Sequence, residues 1–521
     1  VILDEFLHNL HFDIDKASIP NWEVDWEDGP LAYKLYYHLP EIPLSLDIPL
    51  TLEAQEVPVK PDLRKIGHFL WYVYGITQFS QSVAPMISTK KELEVMQSYR
   101  RFAPSGGALY PNELYVYLKI DDVPDGLYHF DVSHHRLVLL REGNFDNYLT
   151  RSLGSRCDLT SCFGTVFIST MFWKNFFKYN NFSYRLQGLD AGVLMGQLIE
   201  VAKRFGFASG VYYQYLDRAI NHLLGFKEQE ESIYSVIPLT VEPAMWSGNR
   251  HSENVLTNDL IREIRPIQTK QYVRTKNIKE FPMLIKMNEA SMLHSTPFRW
   301  FEKKERRNEE GKVVSLPLVN RLSYDFMSTC QKRFSPDMDF QLKKISKQEL
   351  ASLLYEATAS FRYRNDLEKE HSDDSRVSIY VCLYNIEGIP DGAYFYDNIE
   401  HSLYLVNAGD HRLLLQSGLS LDNVNLLQVP ITLHVVGDND HYKDSLGYRG
   451  YRIQQMETGM LVQKLLLAAS ALEMGGHPLL GFNVNVTDHI YNLDPLGKTS
   501  LIQIPIGPYR QRPWLMGRLH T

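Results

Sequence analysis

Cysteine is scarce. The 521 residues hold four, Cys157, Cys162, Cys330 and Cys382, without the spacing or the paired histidines of a zinc site. So few thiols exclude a disulfide framework and fit a reducing cytosol. Long apolar runs are missing too: no uninterrupted stretch approaches the ~20 residues of a membrane-spanning helix. The opening VILDEFLHNLHFDID lacks the basic flank of a signal peptide. The expectation is a cytoplasmic protein without membrane association. Positive charge is not in excess, and a formal net charge of -8 argues against a nucleic-acid partner. The densest basic run, FEKKERRNEEGK from Phe301, is interrupted by acids and reads as a solvated loop. Neither a GxGxxG fingerprint nor a Walker-type loop occurs. What the chain does have is aromatics, 31 Tyr, 25 Phe and 7 Trp, or 12% of its residues. Core filling is the ordinary use of such side chains and a flat conjugated ligand the sharper one; composition leaves both open.

The length implies two or three domains, and an internal repeat says how they are arranged. VPDGLYHFD at Val123 returns as IPDGAYFYD at Ile389. Each copy is flanked by alternating segments, LYVYLKI and HHRLVLL in the first, IYVCLYN and EHSLYLV in the second, which predicts an antiparallel meander around a Pro-Asp-Gly turn. A second match pairs YRLQGLDAGVLMGQLIEVAKRFGF from Tyr184 with YRIQQMETGMLVQKLLLAASALEM from Tyr451, 267 residues on. Leu194, Leu198, Val201 and Phe205 share one helical face, and Leu461, Leu465, Ala468 and Leu472 repeat it. The chain therefore divides into a lead-in at 1–60, an α+β module at 61–247, a connecting segment at 248–320 and a second module at 321–521.

The copies differ at two places. APSGGALYPNE in the first half is replaced by NDLEKEHSDDSRVS, Asn365 to Ser378, in the second. Lys178 and Tyr179 of KYNNFSYR align with Ser445 and Leu446. A core pattern kept twice, with reactive side chains kept once, points to one working site and one scaffolding half. Arg185 and Arg452 recur in both halves, as do Tyr184 and Tyr451, and so belong to the fold. His134 and His135 read as an exposed turn rather than a metal site. In RRFAPSGGALYPNELYVY, from Arg100, two glycines permit backbone that a Cβ forbids, and exposed N–H groups beside two guanidinium groups can seat an anion. A basic tight turn would give the same string.

PSGGALYPNELYVY, PDGLYHFD, HHRLVLL and KYNNFSYR ahead of a long amphipathic helix together resemble the SagB-type dehydrogenases. These are nitroreductase-like flavoproteins that include the azoline oxidases of thiazole/oxazole peptide biosynthesis. The resemblance is best over Asp62 to Thr240, and the second half resembles a degenerate copy. It implies a nitroreductase-like α+β fold, a central antiparallel sheet packed by helices, in two tandem modules forming a pseudo-dimer within one chain. It implies FMN where the modules meet, with Arg100 and Arg101 on its phosphate or ribityl oxygens and Ser105, Gly106 and Gly107 bringing backbone to it. Arg333, in QKRFSP, resembles the arginine that opens many nitroreductase modules and contacts flavin phosphate. Lys178 and Tyr179 are the implied catalytic pair. An ammonium beside a phenol favours the phenolate, and a desolvated lysine can itself be the base, so the direction stays open; a packed tyrosine beside an amphipathic lysine is the plain structural account.

The implied reaction is FMN-dependent oxidation of peptide thiazolines or oxazolines to thiazoles or oxazoles. Molecular oxygen is the implied electron acceptor and a cyclodehydratase the implied partner, with further homodimerisation left open. Two other readings remain at this stage: an NAD(P)H-dependent nitro or quinone reductase, and a non-catalytic scaffold subunit of a peptide-modifying complex.

Overall fold

The computed structural model describes residues 2–52, 59–85, 93–243, 254–301, 311–368, 375–511 and 515–518. Two seven-stranded antiparallel sheets dominate it. The spatial order of the first is Glu41–Pro43, Arg136–Glu142, Gly126–Asp131, Asn112–Leu118, Gly164–Met171, Glu231–Thr240 and Ala208–Ser209. That of the second is Val313–Ser315, Ser402–Ala408, Gly392–Asp397, Ser378–Leu383, Ile431–Asp438, Lys498–Gly507 and Gly475–Gly476. Strand for strand the two orders match, so the sequence repeat is a repeat of topology, and both predicted meanders are present. Even the irregularities are copied. Register slips between Leu127 and Tyr128 and between Ile168 and Ser169 recur between Ala393 and Tyr394 and between Val435 and Val436.

Alternation along a central strand assigns its side chains to two cores. From Asn112–Leu118, Leu114, Val116 and Leu118 enter the large core that holds the long helices, while Tyr115 and Tyr117 enter a smaller one on the opposite face. Much of the aromatic content is spent in this way, as ordinary core.

The predicted amphipathic segments form helices Ser183–Arg204 and Tyr448–Ala471, buried along nearly their whole lengths. They run the same way, side by side, with backbones almost touching. A Cβ on Gly192 would lie 2.0 Å from the Met456 carbonyl oxygen, and one on Gly459 would lie 2.1 Å from that of Leu189. Only glycine allows this approach. Tyr184 and Tyr451, equivalent in the repeat, stack on each other at 5.8 Å with an interplanar angle of 12°. Arg185 donates to the Leu501 carbonyl at 2.6 Å, in the second half, and Arg452 reaches Asp217 at 3.2 Å, in the first. Each retained arginine thus crosses the pseudo-twofold axis to fasten the other half, which is the fold role expected of them.

Segments outside the two repeats complete the modules. Glu41–Pro43 of the lead-in forms the edge of the first sheet, and Val313–Ser315 of the connecting segment forms that of the second. Helix Ile2–Phe12 buries Phe6, Leu7 and Leu10 in the shared core. A hairpin of Ile76–Pro85 and Leu93–Arg101 projects from the first half and is extended by Leu515–Arg518 of the second. Of the two turn histidines, His134 is exposed and bonds Asp131 at 2.9 Å, but His135 departs from the expected exposed turn. His135 is buried with Nε2 on the Ser45 carbonyl, and burial pushes its pKa down to about 4. The basic–acidic run from Phe301 falls largely outside the described residues, as does the middle of the segment replacing Pro-Ser-Gly-Gly, 369–374. Among the described residues no helix is long and apolar enough to cross a membrane.

Candidate functional site

The Pro-Ser-Gly-Gly loop follows the hairpin and precedes the central strand of the first sheet. Gly106–Ala108 makes a single tight turn, and positive φ occurs at Gly107 (64°), Ala108 (54°) and Tyr110 (48°). So much left-handed backbone in one loop is costly and persists only when held from outside. Asp190, on the long helix of the first half, holds it: Ser105 Oγ donates to Asp190 Oδ2 at 2.5 Å and the Gly106 N–H to Oδ1 at 3.0 Å. Ser105 Oγ also accepts from the Tyr110 N–H at 2.9 Å. Burial pushes the Asp190 carboxyl up to about 6 against these bonds.

Lys178 and Tyr179 close the short helix Trp173–Tyr179. The chain turns sharply at Asn180, φ 41°, and enters the long helix, which leaves both side chains at the loop. A Cβ on Gly107 would lie 2.5 Å from Tyr179 Oη and 3.0 Å from Lys178 Nζ. The predicted glycine and the predicted pair therefore meet at one point, and the missing side chain of Gly107 makes the meeting possible. Lys178 Nζ stands 4.8 Å from the centre of the Tyr179 ring. Burial lowers the lysine pKa; burial first and then the Asp190 charge push the tyrosine up to about 12. Both shifts favour a neutral amine beside a protonated phenol.

The three arginines have different surroundings. Arg100 crosses to the second half and donates to the carbonyls of Cys330, Gln331 and Arg333 at the end of helix Phe326–Lys332. Arg101 is buried with its guanidinium 4.2 Å from the Tyr74 ring and 4.6 Å from the Tyr110 ring. One of its nitrogens donates to the Ala32 carbonyl and the other, Nη1, has no partner. Arg333 is 7% exposed and its Nε is buried without a partner. The Tyr110 hydroxyl accepts the Arg101 N–H at 3.1 Å, and its carbonyl accepts from Lys174 Nζ at 3.2 Å. Two buried guanidinium groups, one from each half, thus keep unused donors. Buried guanidinium donors left unpaired are costly, and an oxyanion is what they are shaped to receive.

The equivalent place in the second half is filled by protein. Glu457 occupies the position of Asp190 in the repeat, 267 residues on, but it is bound by Arg376, whose Nε lies 2.9 Å from Oε1 and 3.0 Å from Oε2. Tyr363 donates to the same carboxylate at 2.7 Å, Tyr213 is joined to Tyr363 at 2.8 Å, and Arg376 also pairs with Glu368 at 2.5 Å. Arg376 and Glu457 are both buried. Where the first half offers a carboxylate to a glycine loop, the second closes the space with an ion pair. Reading the sequence alone missed Asp190 and this plug, although a carboxylate kept at the same register of both long helices was a signal for each.

Two topologically identical α+β halves, joined through paired helices, make this a nitroreductase-like fold in tandem. A protein of Anabaena variabilis assigned as a nitroreductase is similar over 98% of this chain and 99% of its own, with a TM-score of 0.73 and 20% identity. The Escherichia coli microcin synthetase McbBCD complex with truncated pro-MccB17 bound matches 47% of this chain and 92% of its own, with a TM-score of 0.29 and 18% identity. In sequence, the trifolitoxin-processing protein TfxB of Rhizobium leguminosarum bv. trifolii is 32% identical over 113 residues, 20% of this chain. The match spans 30% of the length of that relative. No family model matches the sequence.

Proposed function

We propose that the chain is an FMN-dependent dehydrogenase that oxidises thiazoline or oxazoline rings of a peptide to thiazoles or oxazoles. The observation carrying this reading is the convergence of Lys178 and Tyr179 on Gly107, which sets a desolvated amine against the loop that would face the cofactor. FMN suits the residues present. Arg333 and Arg101 supply unused donors for the phosphate, and the loop from Ser105 to Gly107 presents backbone with no side chain at its left-handed turn. A flavin bound there supplies acceptance of a hydride equivalent.

Aromatising an azoline also removes a proton, and this falls to Lys178. Its amine, depressed by burial, takes the ring proton as a general base. Tyr179 remains protonated and donates a hydrogen bond towards the ring or the amine. The two hydrogens lost by the ring would thus leave as one proton to Lys178 and one hydride equivalent of the kind a bound flavin would accept, with molecular oxygen as the final acceptor. The stretch shared with a trifolitoxin-processing protein supports a peptide as substrate. A cyclodehydratase that makes the azoline is the partner this chemistry requires.

The test starts from the visible spectrum of the purified chain and the mass of any chromophore that heat releases. One FMN per chain is expected, because Arg376 and Glu457 fill the second position. A thiazoline peptide should then lose two hydrogens in air. Two flavins per chain would contradict the single site. Rapid bleaching by NAD(P)H with no change in the peptide would overturn the reaction in favour of a reductase, and failure to take up FMN would favour a scaffold.

A further inference from the structure

Phe177, next to Lys178, carries part of the lead-in on its outer side. Gly29 packs within 3.2 Å of its ring, measured from an ideal Cβ, and Trp22 Nε1 donates to its carbonyl at 2.9 Å. Trp22 is thereby half-buried, edge-on to Phe176 at 5.2 Å. Trp26 is different. It meets Phe177 edge-on at 5.6 Å, yet its indole is 60% exposed. Lys178 Nζ lies 5.4 Å from the centre of this indole, so the amine stands between the rings of Trp26 and Tyr179.

The turn bearing Trp26 is fixed at both ends. Asp25 Oδ1 accepts the N–H groups of Glu27 at 3.1 Å and Asp28 at 3.0 Å. The Asp28 carboxylate accepts those of Lys276 at 2.7 Å and Asn277 at 2.9 Å, in the connecting segment. An indole left 60% exposed on a tethered turn, beside a half-buried amine, keeps much of its surface open to solvent. Leaving so much aromatic surface in water forgoes the burial that stabilises most tryptophans.

We propose that Trp26 is a substrate-binding residue, the surface on which the five-membered ring of the peptide lies beside Lys178. This inference rests on the azoline reading above and adds a specificity-determining side chain from the lead-in. A planar, polarisable ring gains from an indole face what an uncyclised Gly-Cys segment does not, so Trp26 discriminates modified from unmodified peptide. Stacking also shields the amine from water on its open side.

The experiment uses the flavin-loaded full chain and two synthetic hexapeptides, one carrying a thiazole and the other Gly-Cys in its place. Binding is measured by calorimetry for the parent and for Trp26→Ala, Trp26→Leu and Trp26→Phe. Trp26→Ala and Trp26→Leu should weaken the thiazole peptide by about threefold to tenfold, the scale of one aromatic pair. Trp26→Phe should recover most of that loss. The Gly-Cys peptide should change by less than about twofold, and the flavin absorbance should stay as in the parent. Should Trp26→Ala fold poorly, the difference between Leu and Phe carries the same information. If the parent oxidises thiazolines while these variants bind thiazole as the parent does, or weaken both peptides equally, the Trp26 assignment is overturned and the azoline reading survives. If the flavin-loaded parent neither binds nor oxidises ring-bearing peptides, both fall.

Discussion

If the proposed dehydrogenase reading holds, Lys178→Ala is expected to lower the rate of azoline oxidation by about a hundredfold to ten-thousandfold, the usual range for a lost general base, with flavin still bound. Small primary amines added to the medium should restore part of the activity, since only the amine has been removed. The pH dependence separates this base from its neighbour. A base works unprotonated, so the rate must rise as pH passes upward through its pKa. Burial holds Lys178 below its ordinary 10.5, which places the rising limb below that pH. A Tyr179 base would place the limb near 12, and at pH 7 about one phenol in 10⁵ would be ionised. Tyr179→Phe should keep the limb where the parent has it and reduce the rate less than Lys178→Ala does. A limb near 12, or a Lys178→Ala enzyme of parental rate, would remove lysine from the role.

Gly192→Ala and Gly459→Ala are expected to be severe for substitutions of a single methyl group. Each new Cβ would meet a backbone oxygen at about 2 Å, and neither helix can yield without parting the halves. Overpacking of this kind costs about 1–3 kcal/mol, and here the upper end or beyond is expected because the obstacle is backbone. Gly196→Ala is the milder comparison: its Cβ would lie 3.1 Å from both Gln463 Cβ and the Met460 carbonyl oxygen, so a shift of a few tenths of an ångström is enough where the other two need about 1 Å. Urea midpoints should therefore rank parent, Gly196→Ala, then Gly192→Ala and Gly459→Ala together. With FMN held as proposed, the last two should also release it at lower denaturant, since Arg333 and the glycine loop come from opposite sides of this seam. Equal midpoints for all three would mean that the helices adjust freely.

Local features were the legible ones. Both meanders, both long helices and the positions of the glycines follow from periodicity and turn chemistry within about thirty residues of chain, and the structure reproduces them. The repeat conveyed more, because it exposed the loss of Lys178 and Tyr179 from the second copy. Contacts across the axis were illegible. Arg100 and Arg333 are 233 positions apart, and the guanidinium of one reaches the carbonyl of the other only because the two halves are pressed together. Arg376 lies in the segment that replaces the glycine loop, and its burial on Glu457 depends on a partner 81 residues away. The partial burial of Lys178 and Tyr179 was illegible for the same reason: sequence gives neighbours along the chain, whereas desolvation is set by what folds over them. The lead-in lacked any periodic signal, so its role around Phe177 and Ala32 was invisible in advance.

The crossing strand Leu515–Arg518 and the paired arginines Arg185 and Arg452 have a further consequence, one of mass action. In an assembly of separate subunits, a site shared across the seam exists only while the subunits are associated, and dilution empties it. Here the connecting segment replaces that bimolecular equilibrium with an intramolecular one, whose effective concentration is set by tether length and not by expression level. One half can then shed its chemistry and take up a buried ion pair without risk of meeting a copy of itself in the wrong register. The chain behaves as a heterodimer whose two subunits are always present in equal number.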